Sequence, residues 1–367
     1  MALIDRKTAQ VLFTVLVFAV VLALAYAARK MLIIFLFAML FAYLLEPAVS
    51  KVQTSVKNSR IRAIAVVYLG LIVLLLLFLF TAGPKIVQEG QKLSQSLPAL
   101  SDKIGSGQIA FQIGQKRGWS QETSARVQQF LAAHRAEVVS RVQTYAAQIA
   151  TYVPSLGWIV LVPILAVFFL KDKSEFANAA LDLIDSRGEQ KFLRGIMHDL
   201  DLMLAKYIRA QLLLVIFAWI AYTAFLWIMR VPYAFALSAL AGIMEFIPFV
   251  GPLITAVLIL TVSFFSGYQH WLAILIFIVL WRGVQDYVNA PYVMGEGLEL
   301  HPLATIFGIL VGGEVVGVIG MFLSIPILAA LRIVWHNWRL HQAVKDHMKE
   351  GIDELAAPEP KPALHKL

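Results

Sequence analysis

Five long runs of hydrophobic residues without a charged side chain stand out along the chain. They cover residues 9–28, 31–45, 63–83, 153–170 and 210–229. A helix that crosses a bilayer needs about 20 predominantly apolar residues, so we predict a membrane span from each run. The first run follows MALIDRKTAQ, and no convincing small-residue cleavage site comes after it. We therefore interpret it as a retained span and not as a signal peptide.

A polar insert, residues 84–151, separates the third run from the fourth. Its first half, SDKIGSGQIAFQIGQKRG, has the glycines of a loop, and Ser120 is a suitable N-cap for a helix in the second half. Apolar residues there fall three, four or seven apart, on one helix face: Val127, Leu131, Val138, Val142, Tyr145 and Ile149. The insert holds no cluster of catalytic residue types, so we interpret it as a helical arm that packs on a neighbouring subunit or on its own membrane domain.

After residue 229 the hydrophobic runs become shorter and are interrupted. The interruptions are Glu245, the motif IPFVGP, the segment RGVQDYVNAP, Glu314 and the motif GVIGMFLSIP. Hydrophobic segments interrupted by glycine and proline in corresponding places indicate the binding site of a transporter. The predicted domains are a scaffold of three spans (1–83), the insert (84–151), a fourth span with a solvated cytoplasmic connector (152–206), a broken-helix transport region (207–335) and a basic cytoplasmic tail (336–367).

The sharpest interruption is EFIPFVGPLITAV, residues 245–257. Pro248 and Pro252 remove backbone donors, and Gly251 permits a tight reversal between them. In hydrocarbon, freed backbone groups are tolerated only where they are buried in protein or line a wet cavity. We expect a half-helix that starts after Pro252 and points its N-terminal amides into such a cavity. The structural alternative is a kink that lets helices pack closely.

Ionisable residues within a membrane are costly and are functional candidates by default. Here they are Glu245, Glu314, Arg282 and Asp286. Arg282 and Asp286 are four residues apart and can pair along one helix, either as part of a site or as a structural pair near the interface.

Two amides and several prolines and glycines complete the candidate set. The transport pathway predicted from these arguments consists of Glu245, Pro248, Gly251, Pro252, Arg282, Gln285, Asp286, Asn289, Pro291, Gly312, Gly313, Glu314, Gly320 and Pro326. We place Glu46 at a span end, and we interpret His270 and His301 as structural residues at loop edges and not as ligands. We predict no metal site and no cofactor.

The two broken regions resemble each other in sequence. Counted from Pro232 and Pro302, Gly242 and Gly312 both come ten residues later, and similar offsets relate Glu245 to Glu314 and Gly251 to Gly320. The loop at residues 51–62 is the densest positive short loop, which indicates the cytoplasmic side, although Arg29 and Lys30 count against this. Counting the membrane crossings from a cytoplasmic N-terminus, we predict that the two broken regions are hairpins that enter the membrane from opposite faces. They would then form an inverted repeat.

Composition places the chain in the membrane class. It has 367 residues, of which 60% are hydrophobic and 15% charged, against about 45–50% and about 25% in soluble domains. The net charge of +8 fits loops held against anionic lipid, and no basic run interleaved with aromatic residues indicates nucleic acid. There is no cysteine, and no zinc-protease, nucleophile-elbow or P-loop motif, so we predict no enzyme and no primary pump.

Three blocks of the sequence carry a family resemblance. PYAFALSALAGIMEFIPFVGPLI, QDYVNAPYVMGEGLELHP and GILVGGEVVGVIGMFLSIPILAAL resemble the signature blocks of the autoinducer-2 exporter family of bacterial permeases. The resemblance implies an all-α, multi-pass protein of the bacterial inner membrane with about eight spans. It also implies a homo-oligomer that moves a small molecule or ion. Members are linked to export of autoinducer-2, and others to sodium–proton antiport.

Three functions follow as alternatives. The first is a secondary transporter that exports a small polar organic solute by alternating access around the two hairpins. The second is a cation–proton antiporter that uses carboxylates in the membrane, and the third is a membrane scaffold that transports nothing. Convergent carboxylates favour the second, a roomy pocket lined by amides and aromatics favours the first, and a close-packed interior favours the third.

The topology can be tested with single cysteines, since the native chain has none. Both termini are predicted to be cytoplasmic and the insert to lie outside. A cysteine at Gln143 should therefore react with a membrane-impermeant maleimide on intact cells, whereas one at Lys57 should react only after the membrane is opened. Labelling of the Gln143 position only in opened cells would contradict this topology.

Overall fold

The computed structural model of the chain describes residues 6–105, 120–133, 157–266, 268–295 and 300–356. Every element within these ranges is helical, and the chain is a polytopic all-α membrane protein, as predicted. The helices are α1 (Arg6–Ala27), α2 (Arg29–Ser55), α3 (Arg60–Thr81), α4 (Gly83–Gly105), α5 (Gln121–Ala133), α6 (Gly157–Asp182), α7 (Arg187–Ile228), α8 (Ala234–Met244), α9 (Val250–Phe265), α10 (Trp271–Val284), a π-helical turn (Gln285–Asn289), α11 (Ala290–Met294), α12 (Pro302–Val316) and α13 (Val318–Ala356).

Among the described residues, six helical stretches are long and apolar enough to cross a membrane. They are Gln10–Ala27, Arg29–Ser55, Arg60–Thr81, Arg187–Ile228, Trp271–Met294 and Val318–Ala343, and α8, α9 and α12 are shorter apolar helices. The predicted spans at 9–28, 31–45, 63–83 and 210–229 overlap helices of this set. The predicted span at 153–170 begins outside the described residues and continues as the first half of α6.

Several predicted interruptions are absent, because the helices continue through them. Pro326 lies inside α13. α2 continues past the end of its predicted span at residue 45 and contains Pro47. The segment RGVQDYVNAP stays helical through a π turn, and α12 passes Glu314 and ends at Val316. A proline removes one hydrogen bond and often only bends a long helix. The prolines, glycines and charges that interrupt the hydrophobic runs therefore predicted more helix breaks than the structure contains.

The polar insert is described only in part. α4 continues to Gly105, so the first residues of the predicted loop are helical. The Ser120 hydroxyl accepts a hydrogen bond from the Thr123 N–H at 3.2 Å, which confirms the predicted N-cap of α5. Val138, Val142, Tyr145 and Ile149 lie outside the described residues, and the predicted arm stays a prediction.

The chain forms two compact units, which are described separately. The first contains Met1–Lys173 and Gln211–Asn289, and the second contains Ser174–Ala210 and Ala290–Leu367. The predicted transport region, 207–335, contributes residues to both units, and its role as a domain stays a prediction.

Two apolar clusters organise the first unit. One joins the C-terminal half of α7 with α8, α9 and α10 around Ala218, Leu226, Leu237, Ile259 and Ile274. The other joins α2, α3 and α6. At the edge of the second cluster, Arg60 pairs with Glu46 at 2.8 Å and donates to the Leu170 carbonyl at 2.5 Å, so the predicted interfacial Glu46 ties α2 to α3.

In the second unit, α12 and α13 pack as a hairpin around two glycines. Gly317, with φ +69°, forms the turn between them. A Cβ on Gly320 would lie 1.9 Å from the Gly312 carbonyl oxygen, and a Cβ on Gly312 would lie 2.4 Å from the Gly320 carbonyl oxygen. The two helices therefore approach closely only because both residues lack a side chain.

Replacing Gly320 with alanine should destabilise this hairpin. The added methyl group would overlap a backbone carbonyl, which cannot rotate away, and overpacking costs about 1–3 kcal/mol. Thermal unfolding in detergent, followed by circular dichroism, should show a lower midpoint for Gly320→Ala. The matched control is Gly195→Ala in α7, where an added Cβ meets nothing within 4 Å. That variant should be neutral or slightly stabilised, since alanine favours helix, and equal midpoints for the two variants would contradict the close contact.

Candidate functional site

The break between α8 and α9 is the centre of the candidate site. α8 ends at Met244, and residues 245–249 lead to α9, which begins at Val250. The reversal is made by Phe249, whose φ of 61° and ψ of −52° are unusual for a residue with a side chain. A Cβ on Gly251 would lie 1.7 Å from the Met244 carbonyl oxygen. Gly251 is therefore needed for the close approach of the two helix ends, while its own backbone lies in the first turn of α9.

Pro252 lies in the first turn of α9, where a missing N–H costs little. The predicted start of the half-helix after Pro252 is therefore too late. The N–H groups of this turn donate to backbone carbonyls: Val250 to Pro248 at 2.7 Å, Gly251 to Ile247 at 2.9 Å and Leu253 to Phe249 at 3.4 Å. Contrary to expectation, these amides are already paired, so the polar chemistry of the site comes from side chains.

The Glu245 carboxylate lies at the C-terminal end of α8, with its side chain only 10% exposed. Its Oε1 atom is 3.3 Å from Arg282 Nη1 and accepts a longer hydrogen bond, 3.4 Å, from Gln285 Nε2. Its backbone carbonyl accepts a hydrogen bond from Gln211 Nε2 at 2.7 Å. Three elements, α7, α10 and the π turn, therefore hold one nearly buried acid.

Arg282 joins this acid to a second one. Its Nε atom donates to Asp286 Oδ2 at 2.7 Å, and its Nη2 atom pairs with Asp286 Oδ1. The predicted local pair of Arg282 and Asp286 is thus present. The guanidinium, which lies on α10, also reaches Glu245 at the C-terminal end of α8. A fork of N–H donors suits this double role, because it can bind one carboxylate through two atoms and still contact another.

The π turn at residues 285–289 places two amides beside the acids. Gln285 is 2% exposed; its Nε2 atom donates to the Leu214 carbonyl at 2.9 Å, and its Oε1 atom accepts from Asn289 Nδ2 at 2.8 Å. Pro291 lies two residues after the turn and has no N–H for a regular α-helical bond, which is consistent with a wider turn. π turns occur frequently at functional sites. We call Glu245, Arg282, Gln285, Asp286 and Asn289 the Glu245 cluster.

The remaining predicted site residues lie in the second unit. Gly312 and Gly320 make the helix contact described above, and a Cβ on Gly313 would lie 2.7 Å from the Met321 Cε atom. Glu314 is exposed on α12 and forms no ion pair among the residues that the structure describes. Pro291, Glu314 and Pro326 belong to the second unit, whereas the Glu245 cluster is described within the first.

Sequence reasoning missed two residues that support the site. Gln211, only 4% exposed, is the one amide in the run 210–229, and its isolation among apolar residues was the available signal. Glu89 on α4 accepts hydrogen bonds from the Phe235 and Ala236 N–H groups at 2.8 and 3.1 Å. It caps the N-terminus of α8. Glu89 is far from α8 along the chain, so local sequence patterns did not reveal this role.

Neither predicted lone histidine is placed as part of a metal centre. His301 caps α12, with its Nδ1 atom accepting from the Leu303 N–H at 3.2 Å, and the His270 ring packs edge-on against Tyr268. Within the described ranges, no three His, Asp or Glu residues are grouped to hold a metal ion.

Comparison with known proteins identifies similar sequences. Residues 13–340 match the family described as "AI-2E family transporter". The chain is 24% identical to "Putative transport protein YueF" of Bacillus subtilis, over 96% of this chain and 97% of that protein. It is 26% identical to "Putative permease PerM" of Escherichia coli K12, over 83% of this chain and 86% of that protein. It is also 22% identical to "Putative transport protein YrrI" of Bacillus subtilis, over 70% and 72%.

Removing the arginine from the Glu245 cluster should be more harmful than removing the arginine and the acid together. Arg282→Gln leaves a nearly buried carboxylate without its cation, and hydrogen bonds to charged groups contribute about 1.5–3 kcal/mol. The double variant Glu245→Gln/Arg282→Gln should recover part of this loss, because the nearly buried charge is gone and the acid that stays unpaired, Asp286, has a side chain that is 41% exposed to solvent. Chemical unfolding in detergent would measure both effects.

The control for this cycle is Arg126→Gln, which breaks the exposed Arg126–Glu122 pair, with side chains 78% and 75% exposed. Exposed pairs contribute about 0–1 kcal/mol, so this variant should unfold almost like the wild type. Strictly additive losses for Glu245→Gln and Arg282→Gln would show that the two side chains do not interact.

Proposed function

This chain belongs to the AI-2E transporter family, and from that premise we propose that it is a secondary transporter that exports a small polar organic solute by alternating access. The observation that supports this function is the Glu245 cluster, a set of charges and amides at a helix break in an otherwise apolar region. Ionisable groups are retained in a membrane at a cost, and function is the usual reason for that cost.

The charge balance of the cluster supports coupling to a cation gradient. With Glu245 and Asp286 ionised, two negative charges face the one positive charge of Arg282. Uncompensated charge is expensive where water is scarce, so binding of a proton or small cation would relieve the surplus. Such binding links the state of the cluster to the ion gradient.

The amides give the cluster the means to recognise a solute. Gln285 and Asn289 each have donors and acceptors, and the bond between them uses only some of these groups. A small molecule with several hydroxyl groups could exchange hydrogen bonds with such side chains when the helices move. In the proposed cycle, α8–α9 and α12–α13 are opposed hairpins of an inverted repeat in the bacterial inner membrane, with both termini cytoplasmic.

A cation–proton antiporter is the second candidate, and one observation favours it. Two carboxylates converge on Arg282, and acids that share a cation can exchange a proton for a metal cation. In this reading the amides orient the acids and do not contact a solute.

Replacing Glu245 with glutamine tests the proposed coupling. The change keeps the shape and the hydrogen bonds to neighbours but removes the charge. Purified chain in liposomes should take up labelled autoinducer-2 when a proton gradient is imposed. We expect Glu245→Gln to fold normally and to lose the gradient-driven part of this uptake, down to the level of protein-free liposomes.

The control for Glu245→Gln is Glu175→Gln, which removes an exposed acid of α6 and should transport like the wild type.

Two further measurements separate the two candidate functions and test the acids. If sodium addition collapses a preformed pH gradient and autoinducer-2 uptake is absent, the chain is an antiporter and the solute proposal is wrong. Equal proton-driven uptake by the wild type, Glu245→Gln and Glu314→Gln would refute coupling through either acid.

A further inference from the structure

The helix α13 changes character abruptly at Arg332. From Val318 to Leu331 it contains no charged residue, and Arg332 is the first. The candidate span continues to Ala343, so residues 332–343 lie where the helix leaves the apolar layer. This position follows from sequence and helix length and does not depend on which side of the membrane the end of α13 faces.

One face of this segment packs against α7 within the second unit. Asn337 Nδ2 donates to Asp199 Oδ2 at 3.0 Å, and the His341 ring stacks on Phe192 with ring centroids 4.4 Å apart. These contacts set the rotation of α13 about its axis. Residues about half a turn away therefore face outward.

The outward side presents two tryptophans and two arginines. Trp335 and Trp338 are 59% and 43% exposed, with ring centroids 5.2 Å apart. Arg332 and Arg339 are both exposed, and they lie two helical turns apart on the side that carries Trp335. We call these four residues the α13 interfacial face.

We propose that the α13 interfacial face binds the headgroup of an anionic phospholipid. Tryptophan rings favour the boundary between hydrocarbon and headgroups, and an arginine guanidinium matches the geometry of a phosphate. Charge complementarity selects an anionic lipid, because residues 332–345 contain Arg332, Arg339 and Lys345 but no Asp or Glu. Basic side chains close to an anionic lipid surface are attracted to it, and this attraction falls off within a Debye length.

Tryptophan quenching by brominated lipids tests this site. The protein is reconstituted in nanodiscs in which a fixed share of the lipid is either brominated phosphatidylglycerol or brominated phosphatidylcholine. The chain has eight tryptophans, so Trp335→Phe/Trp338→Phe supplies the background, and the difference from the wild type isolates the face. We expect this difference to show stronger quenching by the anionic lipid than by the zwitterionic lipid.

The arginines are tested in the same assay. Arg332→Gln/Arg339→Gln should lose the preference for phosphatidylglycerol, whereas Lys51→Gln/Arg62→Gln, which removes two positive charges from another part of the chain, should keep it. Raising the salt concentration should weaken the preference of the wild type, and this arm needs no variant that might fold poorly. Equal quenching by the two lipids, no quenching by either, or a preference that survives loss of both arginines would each overturn the proposal.

Discussion

The structure depends on one constraint, which is that backbone groups in the bilayer core cannot form hydrogen bonds to water. In a bilayer core every N–H and carbonyl must find a partner within the protein. At the α8–α9 break, turn hydrogen bonds pair the first N–H groups of α9, and Gln211 binds the Glu245 carbonyl. The chain therefore interrupts a helix in an apolar region while these backbone groups keep partners, and the polar groups that remain available there belong to side chains.

The same close packing recurs in the two hairpins. Gly251 lies against the carbonyl of Met244, and Gly320 lies against the carbonyl of Gly312. Each glycine lies in the first turn of the second helix of its pair and contacts the C-terminal part of the first helix. The acids do not follow this correspondence, because Glu245 is nearly buried beside Arg282 whereas Glu314 is exposed. The two hairpins thus share a packing device, while the charged cluster belongs to one of them.

Arg282 lies between two carboxylates and binds each of them in a different way. Arg282 binds Glu245 on a neighbouring helix and Asp286 four residues further along its own helical segment. Movement of α8 relative to α10 would therefore change the first pair and leave the second intact. The buried amide of Gln285 links the acid to the α7 backbone. The same few side chains therefore connect α7, α8 and α10 and carry the charges of the Glu245 cluster.

The sequence alone determined the all-α membrane class, four of the spans, the end of α8 at Met244 and the pairing of Arg282 with Asp286. These depend on composition and on neighbours within a helical turn or two, which can be read along the chain. Only the tertiary structure decided that α2 continues past its predicted end, and that α12 and α13 continue past predicted breaks. It also decided that Gly251 lies where a side chain would overlap a carbonyl, and that Glu89, Gln211 and Glu245 meet distant partners. Those features depend on which backbone atoms approach each other across the fold, and local sequence does not specify that distance.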